Sequence, residues 1–264
     1  MSDVLVQIAD IHFGAEHEAA IKSAIGQINE IAPDAIIVCG DLTQRGKRSE
    51  FSDAKNWLTH FDFPILVVPG NHDTPLLNLW TRMRSAFARY HEFFDTISSP
   101  ISVSHGKITG LNTARGWQVR RNWAEGSVNL DALDNVLKQG SDAEKQPFIL
   151  ACHHPFLSPP KAPMVTATRR GILASGRIAE AGVEILLTGH VHTPSATVYR
   201  EKSGQYLAIS AGTLSTRLRE YPPSFNVLNI DDEYISVSVY AFNGIEFDRV
   251  DLGRWTRKSL EPFA

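Results

Sequence analysis

Five short polar clusters in the chain carry residue types suited to metal chemistry: Asp10-Ile11-His12, Gly40-Asp41-Leu42-Thr43, Gly70-Asn71-His72-Asp73, His153-His154-Pro155 and Gly189-His190-Val191-His192. Singly, each has an ordinary explanation. Asp-x-His is a turn or a satisfied polar pair, Gly40-Asp41 a turn with a helix cap, Asn71 after Gly70 a left-handed turn residue, and Pro155 the end of a strand. Jointly, they offer carboxylate, imidazole and amide oxygen without thiolate, a donor set that suits borderline-hard ions such as Mn, Fe or Zn. The imidazoles disfavour Ca. Burying so many polar groups unpaired is costly, and a metal cluster satisfies them together. If His190-Val191-His192 is extended, its period of two puts both rings on one side, each able to reach a different ion.

The elements that must position these clusters are visible around them. Apolar runs at 4–9, 35–39, 65–68, 148–152 and 184–188 read as strands, and each leads into one cluster. Helical spacing at 17–31, 48–60, 76–94 and 169–181 falls among them. Strands separated by helices predict βαβ units and a parallel sheet, with runs apolar on both faces because both faces are covered. Ligands in such sheets bind beyond the carboxyl ends of the strands, so the five clusters should meet on one rim. A hairpin is expected around His105-Gly106, and 112–126 is polar and Arg-rich. From 196 to 247 short strands follow one another, with turn signals at Ser203-Gly204 and Asp231-Asp232, as in an antiparallel meander.

The chain of 264 residues suffices for one large core, and 43% hydrophobic with 21% charged residues is ordinary globular composition. A net charge of −3 argues against binding a nucleic-acid polymer, which calls for a basic excess or stripe. Cys39 and Cys152 each end an apolar run and read as buried thiols rather than a disulfide. No apolar stretch approaches the ~20 residues of a membrane span. The first ten residues lack the basic flank of a signal peptide, so a cytoplasmic location is the expectation.

As a set, the clusters resemble the calcineurin-like metallophosphoesterase superfamily, whose pattern is D-x-H, G-D-x-x, G-N-H-[DE], H and G-H-x-H. All five blocks occur in order between residues 10 and 192. GNHD, His-His-Pro and the chain length are similar to the bacterial branch that includes class III cyclic-nucleotide phosphodiesterases and glycerophosphodiesterases. The resemblance implies an α/β fold, a four-layer αββα sandwich of two mixed sheets flanked by helices. Residues 1–264 would form a single domain, with C-terminal antiparallel strands at about 196–247 completing the second sheet.

By motif position, the resemblance implies two divalent or trivalent ions. Asp10, His12, Asp41 and His192 would hold one, and Asp41, Asn71, His153 and His190 the other. Asp41 would bridge them. His153 matches the family's ligand position, leaving His154 as a supporting or substrate-side group. The ions would sit ~3.5–4 Å apart and share a water whose deprotonated form attacks phosphorus in line with the leaving oxygen. His72 would protonate the leaving group or stabilise the transition state, with Asp73 accepting the ring's other N–H. Its structural alternative is a merely packed histidine.

The implied enzyme is a phosphodiesterase acting on a small cyclic nucleotide or glycerophosphodiester. A phosphomonoesterase or nucleotide pyrophosphatase is the alternative within the same chemistry, and a non-catalytic scaffold on the same fold the alternative outside it. Gln44, where the Ser/Thr phosphatase version has an acid, and GNHD in place of GNHE argue against a protein phosphatase. Arg45, Arg115, Trp117 and Arg120, with Arg121 and Trp123 nearby, are candidate phosphate and base contacts, or an ordinary solvated loop. Arg217 and Arg219 after Gly212-Thr213 share that ambiguity. In a homo-oligomer, residues 74–126 or the C-terminal strands would shape a neighbour's pocket.

Overall fold

Apolar side chains alternate along each central strand and so divide it between two cores. In β1 (Asp3–Ile8), Val6 and Ile8 pack on one side and Leu5 on the other. In β2 (Ala35–Cys39), Ile36 and Val38 oppose Ile37 and Cys39 in the same way. Strands of this kind need cover on both faces. The computed structural model, which describes residues 2–75, 79–117, 122, 124–141, 147–160, 162, 166 and 168–263, provides it with two stacked sheets between layers of helix.

In chain order the elements after β1 are α1 (Glu18–Ile31), β2, α2 (Arg48–Leu58), β3 (Ile65–Val68), α3 (Leu79–Ser85) and α4 (Ala88–Phe94). There follow β4 (Ile101–Val103), β5 (Gly106–Gly110), α5 (Leu130–Ser141), β6 (Phe148–Ala151), α6 (Gly171–Glu180) and β7 (Val183–Thr188). The chain ends with β8 (Ser195–Glu201), β9 (Gly204–Ser210), β10 (Ser224–Ile230), β11 (Tyr234–Phe242) and β12 (Phe247–Thr256).

The first sheet has the order β12-β11-β10-β1-β2-β3, with β1, β2 and β3 parallel and β10 antiparallel to β1. The second has the order β4-β5-β6-β7-β9-β8, parallel from β5 through β9 with antiparallel edge strands. Leu5, Ile37 and Leu66 meet Ile149, Ile185 and Leu207 between the sheets. Outside the first sheet, Ala24 and Ile28 of α1 and Phe51 and Trp57 of α2 cover Val6 and Ile36. Outside the second, Leu133 and Leu137 of α5 and Ala174 and Ile178 of α6 cover Leu150 and Leu186. Helix, sheet, sheet, helix is the four-layer α/β arrangement expected from the motifs.

Three expectations are corrected. The single helix at 76–94 is α3 and α4, separated at residues 86–87, and 76–78 lie outside the described residues. Helix α5 had no place in the expected element list; Asn129 starts it, its side-chain oxygen accepting from the backbone N–H of Asp131 and Ala132 at 3.1 and 3.2 Å. The C-terminal strands do not form one meander that completes the second sheet. β8 and β9 do join it, but β10–β12 extend the first sheet. The edge of β1 away from β2 would otherwise leave a row of unpaired backbone groups, and β10 pairs it from Asp3 to Gln7.

Polar side chains stitch the sheets together beneath the strand ends. The Gln7 amide donates to Thr188 O and Ile209 O at 2.9 and 3.1 Å. The Asn226 amide donates to Gln7 Oε1 and Ser210 O, both at 3.0 Å. Cys39 and Cys152 are buried free thiols, as their sequence setting implies. Among the described residues, no helix is long and apolar enough to cross a membrane.

Candidate metal centre

The loops that leave β1, β2, β3, β6 and β7 converge above the carboxyl ends of both sheets. Asp10 and His12 follow β1, Asp41 follows β2, Asn71 follows β3, His153 follows β6, and His190 and His192 follow β7. All seven side chains are buried. Close approach of the loops depends on glycine. A Cβ on Gly70 would fall 2.1 Å from Asp41 Oδ1, and one on Gly40 would fall 2.8 Å from His153 Nδ1.

Five of the seven residues have left-handed backbone, with φ of 55° at Asp10, 52° at His12, 54° at Asp41, 72° at His190 and 57° at His192. That conformation costs on the order of 1–2 kcal/mol per non-glycine residue. The extended geometry expected for His190-Val191-His192 is therefore corrected: the segment is a turn. An alternating strand would run on past the rim, whereas two left-handed residues fold the chain back and aim both rings inward. They still diverge, with His192 against Asp10 and His12, and His190 packed on His153 and His154.

The donor atoms fall into two sets that share one oxygen. In the first, Asp10 Oδ1 lies 3.0 Å from His192 Nε2 and 3.7 Å from His12 Nε2, and the two Nε2 atoms are 3.3 Å apart. In the second, His153 Nε2 lies 3.2 Å from Asn71 Oδ1, and the His190 ring centre is 5.2 Å from that of His153. Asp41 Oδ2 stands between them, 3.8 Å from His12 Nε2 and 3.3 Å from His153 Nε2.

Backbone groups fix which atoms face inward. Nδ1 of His192 donates to Arg217 O at 2.7 Å and Nδ1 of His153 to Cys39 O at 2.8 Å, which aims each Nε2 inward. The outer oxygens of the two aspartates are held likewise: Asp10 Oδ2 accepts from His190 N and Asp41 Oδ1 from His72 N, both at 2.8 Å. Asp10 Oδ1 is buried without a hydrogen bond. Oxygen and imidazole donors converging at these distances repel unless protons or metal cations stand among them, and two such buried sets around Asp41 are a donor arrangement that fits a metal pair.

The electrostatics agree. Burial pushes His12 and His190 down to about 3, outweighing nearby carboxylates. Burial also opposes charge on His153, but Asp41 and Asp10 prevail and hold it up at about 9. Against the same burial, His153 keeps Asp41 well below the usual carboxylate range, and His192 keeps Asp10 below it. Two anionic oxygens thus stand among two imidazoles that burial keeps neutral, His12 and His190, and two whose protonated form the aspartates favour, His153 and His192, where a bound cation would take the proton's place.

The remaining sequence candidates divide. His72 is at the centre: its ring meets that of His12 edge-on at 4.8 Å, and its Nδ1 donates to Gln44 O at 2.8 Å. Asp73 does not take that proton. It accepts from Gly70 N at 2.8 Å, Thr43 N at 2.9 Å and Thr43 Oγ1 at 3.0 Å, and so braces the β2 and β3 loops against each other. The backbone turn at Asn71–Asp73 points the carboxylate back under the loop, away from the ring it was expected to orient. His154 is buried with Nδ1 3.0 Å from Thr113 Oγ1 and Nε2 3.0 Å from Ala124 O, a tie to the 112–126 segment rather than a face towards substrate. Arg45 and Trp117 are exposed and Arg115 is half-buried, while Arg120, Arg121 and Trp123 lie outside the described residues.

Arg217 is the site residue that sequence motifs leave unassigned: its Nη1 is 2.8 Å from His72 Nε2. Its signal in sequence is one of two arginines, with Arg219, after Gly212-Thr213, a pair that reads equally as a phosphate contact or an ordinary solvated loop.

A family model for calcineurin-like phosphoesterases matches residues 4–194. A Synechococcus protein described as a "Probable cyclic nucleotide phosphodiesterase" is 25% identical over 57% of this chain. That match spans only 57% of the Synechococcus protein, little more than half its length. A glycerophosphodiester phosphodiesterase, GpdQ, of Enterobacter lignolyticus is 25% identical over 75% of this chain and 74% of its own. Among solved structures, a dimetal phosphatase from Danio rerio superposes with a TM-score of 0.63 at 12% identity, covering 95% of this chain and 99% of that one, a likeness of fold. With the matching motifs, the sheet order and the convergent donor sets in place, the chain belongs to the calcineurin-like phosphoesterase family.

Proposed function

We propose that the protein hydrolyses small phosphodiesters of the cyclic-nucleotide or glycerophosphodiester class, using two transition-metal ions drawn from Mn, Fe and Zn. The observation that carries this reading is the single inward oxygen of Asp41, 3.8 Å from His12 Nε2 and 3.3 Å from His153 Nε2, which two donor sets share. Asp10, His12, Asp41 and His192 would hold one ion, and Asp41, Asn71, His153 and His190 the other. Two relatives described as phosphodiesterases support the substrate class.

When bound, such a pair supplies Lewis acidity at the phosphoryl oxygens and an activated water nucleophile. The chain's own groups do the rest. Carbonyls of Cys39 and Arg217 hold two ligand rings in one tautomer, and Gln44 O does the same for His72. His72 thereby presents Nε2 at the rim, where, once that atom has taken a proton from solvent, it can hand the proton on to the departing alkoxide.

The test is a substrate panel on Mn²⁺-loaded protein. It compares bis(p-nitrophenyl) phosphate, p-nitrophenyl phosphate, 2′,3′- and 3′,5′-cyclic nucleotides and glycerophosphodiesters, with Asp41→Ala and Asn71→Ala as controls. Diesters should be hydrolysed and both variants should lose that activity. Preference for the monoester by more than about 10-fold, or 1.4 kcal/mol, would move the assignment to a phosphomonoesterase. A fully loaded protein that turns over none of them would sink the hydrolase reading.

A further inference from the structure

Arg217 lies beyond the matched residues 4–194, in the connection between β9 and β10. That connection is laced to the first ligand loop. Thr213 Oγ1 donates to Asp10 O at 2.5 Å, Thr216 N donates to Ala15 O at 2.9 Å, and His17 N donates to Leu214 O at 3.0 Å. Ser215 Oγ then accepts from Arg217 N at 3.2 Å. One residue is thereby fixed in two roles. Its carbonyl orients His192, and its half-buried guanidinium reaches His72 Nε2 at 2.8 Å and Gln44 Oε1 at 3.4 Å.

His72 gives its Nδ1 proton to Gln44 O, so its Nε2 offers a lone pair, and a guanidinium can only donate. A neutral imidazole is a modest partner for that fork. A phosphoryl oxygen is a better one, because the bond is charge-assisted and admits two parallel N–H donors. An anionic ester arriving at this rim meets a cation whose existing partners are both uncharged. Its flexible side chain needs only a rotation to change partners, while Gln44 Oε1 keeps it close.

We propose that Arg217 is a substrate-binding residue that rests on His72 in the free protein and passes to a non-bridging phosphoryl oxygen when the ester binds. Its departure uncovers His72 Nε2 at the rim. This inference rests on the phosphoesterase reading given above.

Arg217→Ala, Arg217→Lys and Gln44→Glu, each loaded with Mn²⁺ and assayed for metal content, test it. Inorganic phosphate binding is measured by calorimetry and bis(p-nitrophenyl) phosphate hydrolysis by kinetics. The carbonyl that holds His192 is backbone, so metal content should stay at the wild-type level. Arg217→Ala should weaken phosphate binding and kcat/KM by about 10- to 100-fold, the worth of one charged hydrogen bond. Added guanidinium ion should restore part of the loss. Arg217→Lys should fall between, and Gln44→Glu should weaken phosphate binding by pinning Arg217 in an ion pair.

Phosphate affinity within threefold of wild type in Arg217→Ala overturns the proposal, including when kcat alone falls. A wild-type protein that binds no phosphate overturns it too. If wild type hydrolyses no ester yet Arg217→Ala loses phosphate, the hydrolase reading fails while Arg217 stands as the anion contact.

Discussion

At Asp41 the two carboxylate oxygens have separate tasks. Oδ1 takes the His72 N–H and lies against Gly70, while Oδ2 faces both donor sets. Asp10 has the same division of labour but serves one set only. The two aspartates should therefore differ in stoichiometry when removed. Asp41→Ala is expected to retain neither ion and Asp10→Ala to retain one per chain, measured by elemental analysis after dialysis. Each loss should exceed the ~10–100-fold drop in affinity that follows removal of a group merely supporting a ligand. Equal metal content in the two variants would contradict a shared Asp41. These candidate ligands are legible in sequence because each follows an apolar run, where backbone direction alone brings it to the rim. The partner of His72 is not. Gln44 O and Arg217 lie 28 and 145 positions away from it, and only the packing of three loops brings them to the ring.

Among the elements, the strands of the first half were readable to within a residue or two, since branched apolar runs admit few other structures. The sheet to which β10–β12 belong was not, because a hairpin pattern records neighbours in sequence and not the strand edge that a hairpin will cover. Helix α5 did carry a signal, an Asn129 cap followed by Leu130, Leu133 and Leu137 on one face. Gln7 and Asn226 show what alternation hides: both sit in strands of the first sheet at buried positions, and their amides donate across to carbonyls of the second. Gln7→Leu should destabilise the protein by about 1–3 kcal/mol, because the buried Asn226 amide loses a partner. Adding Asn226→Leu should cost less than the sum of the two single changes, as both partners of that bond are then apolar. Urea unfolding of the two single variants and the double reads this coupling, and strict additivity would exclude it.

For the molecule as a whole, the donor sets join two sheets. Asp10, His12, Asp41 and Asn71 come from the first sheet, and His153, His190 and His192 from the second. Ions held by both would act as a clasp across the layer boundary. A ligand at 1,000 times its Kd adds about 4 kcal/mol to stability, and a chain of this size gains roughly 2–4 °C in Tm per kcal/mol. The Tm with saturating Mn²⁺ should thus exceed that in excess chelator by roughly 8–16 °C on these magnitudes. Scanning calorimetry of wild type and Asp41→Ala would show it, the variant remaining indifferent to the metal. A wild type equally indifferent would mean that the ions do not bridge the sheets.

The left-handed backbone at Asp10, His12, Asp41, His190 and His192 has a consequence for the history of such a chain. Glycine adopts that conformation without penalty. Selection for folding alone would favour glycine at all five positions, and only selection for chemistry keeps aspartate and histidine there. In a lineage that had abandoned catalysis but kept the fold, glycine at positions 10, 12, 41, 190 and 192 would be the expected trace of that release.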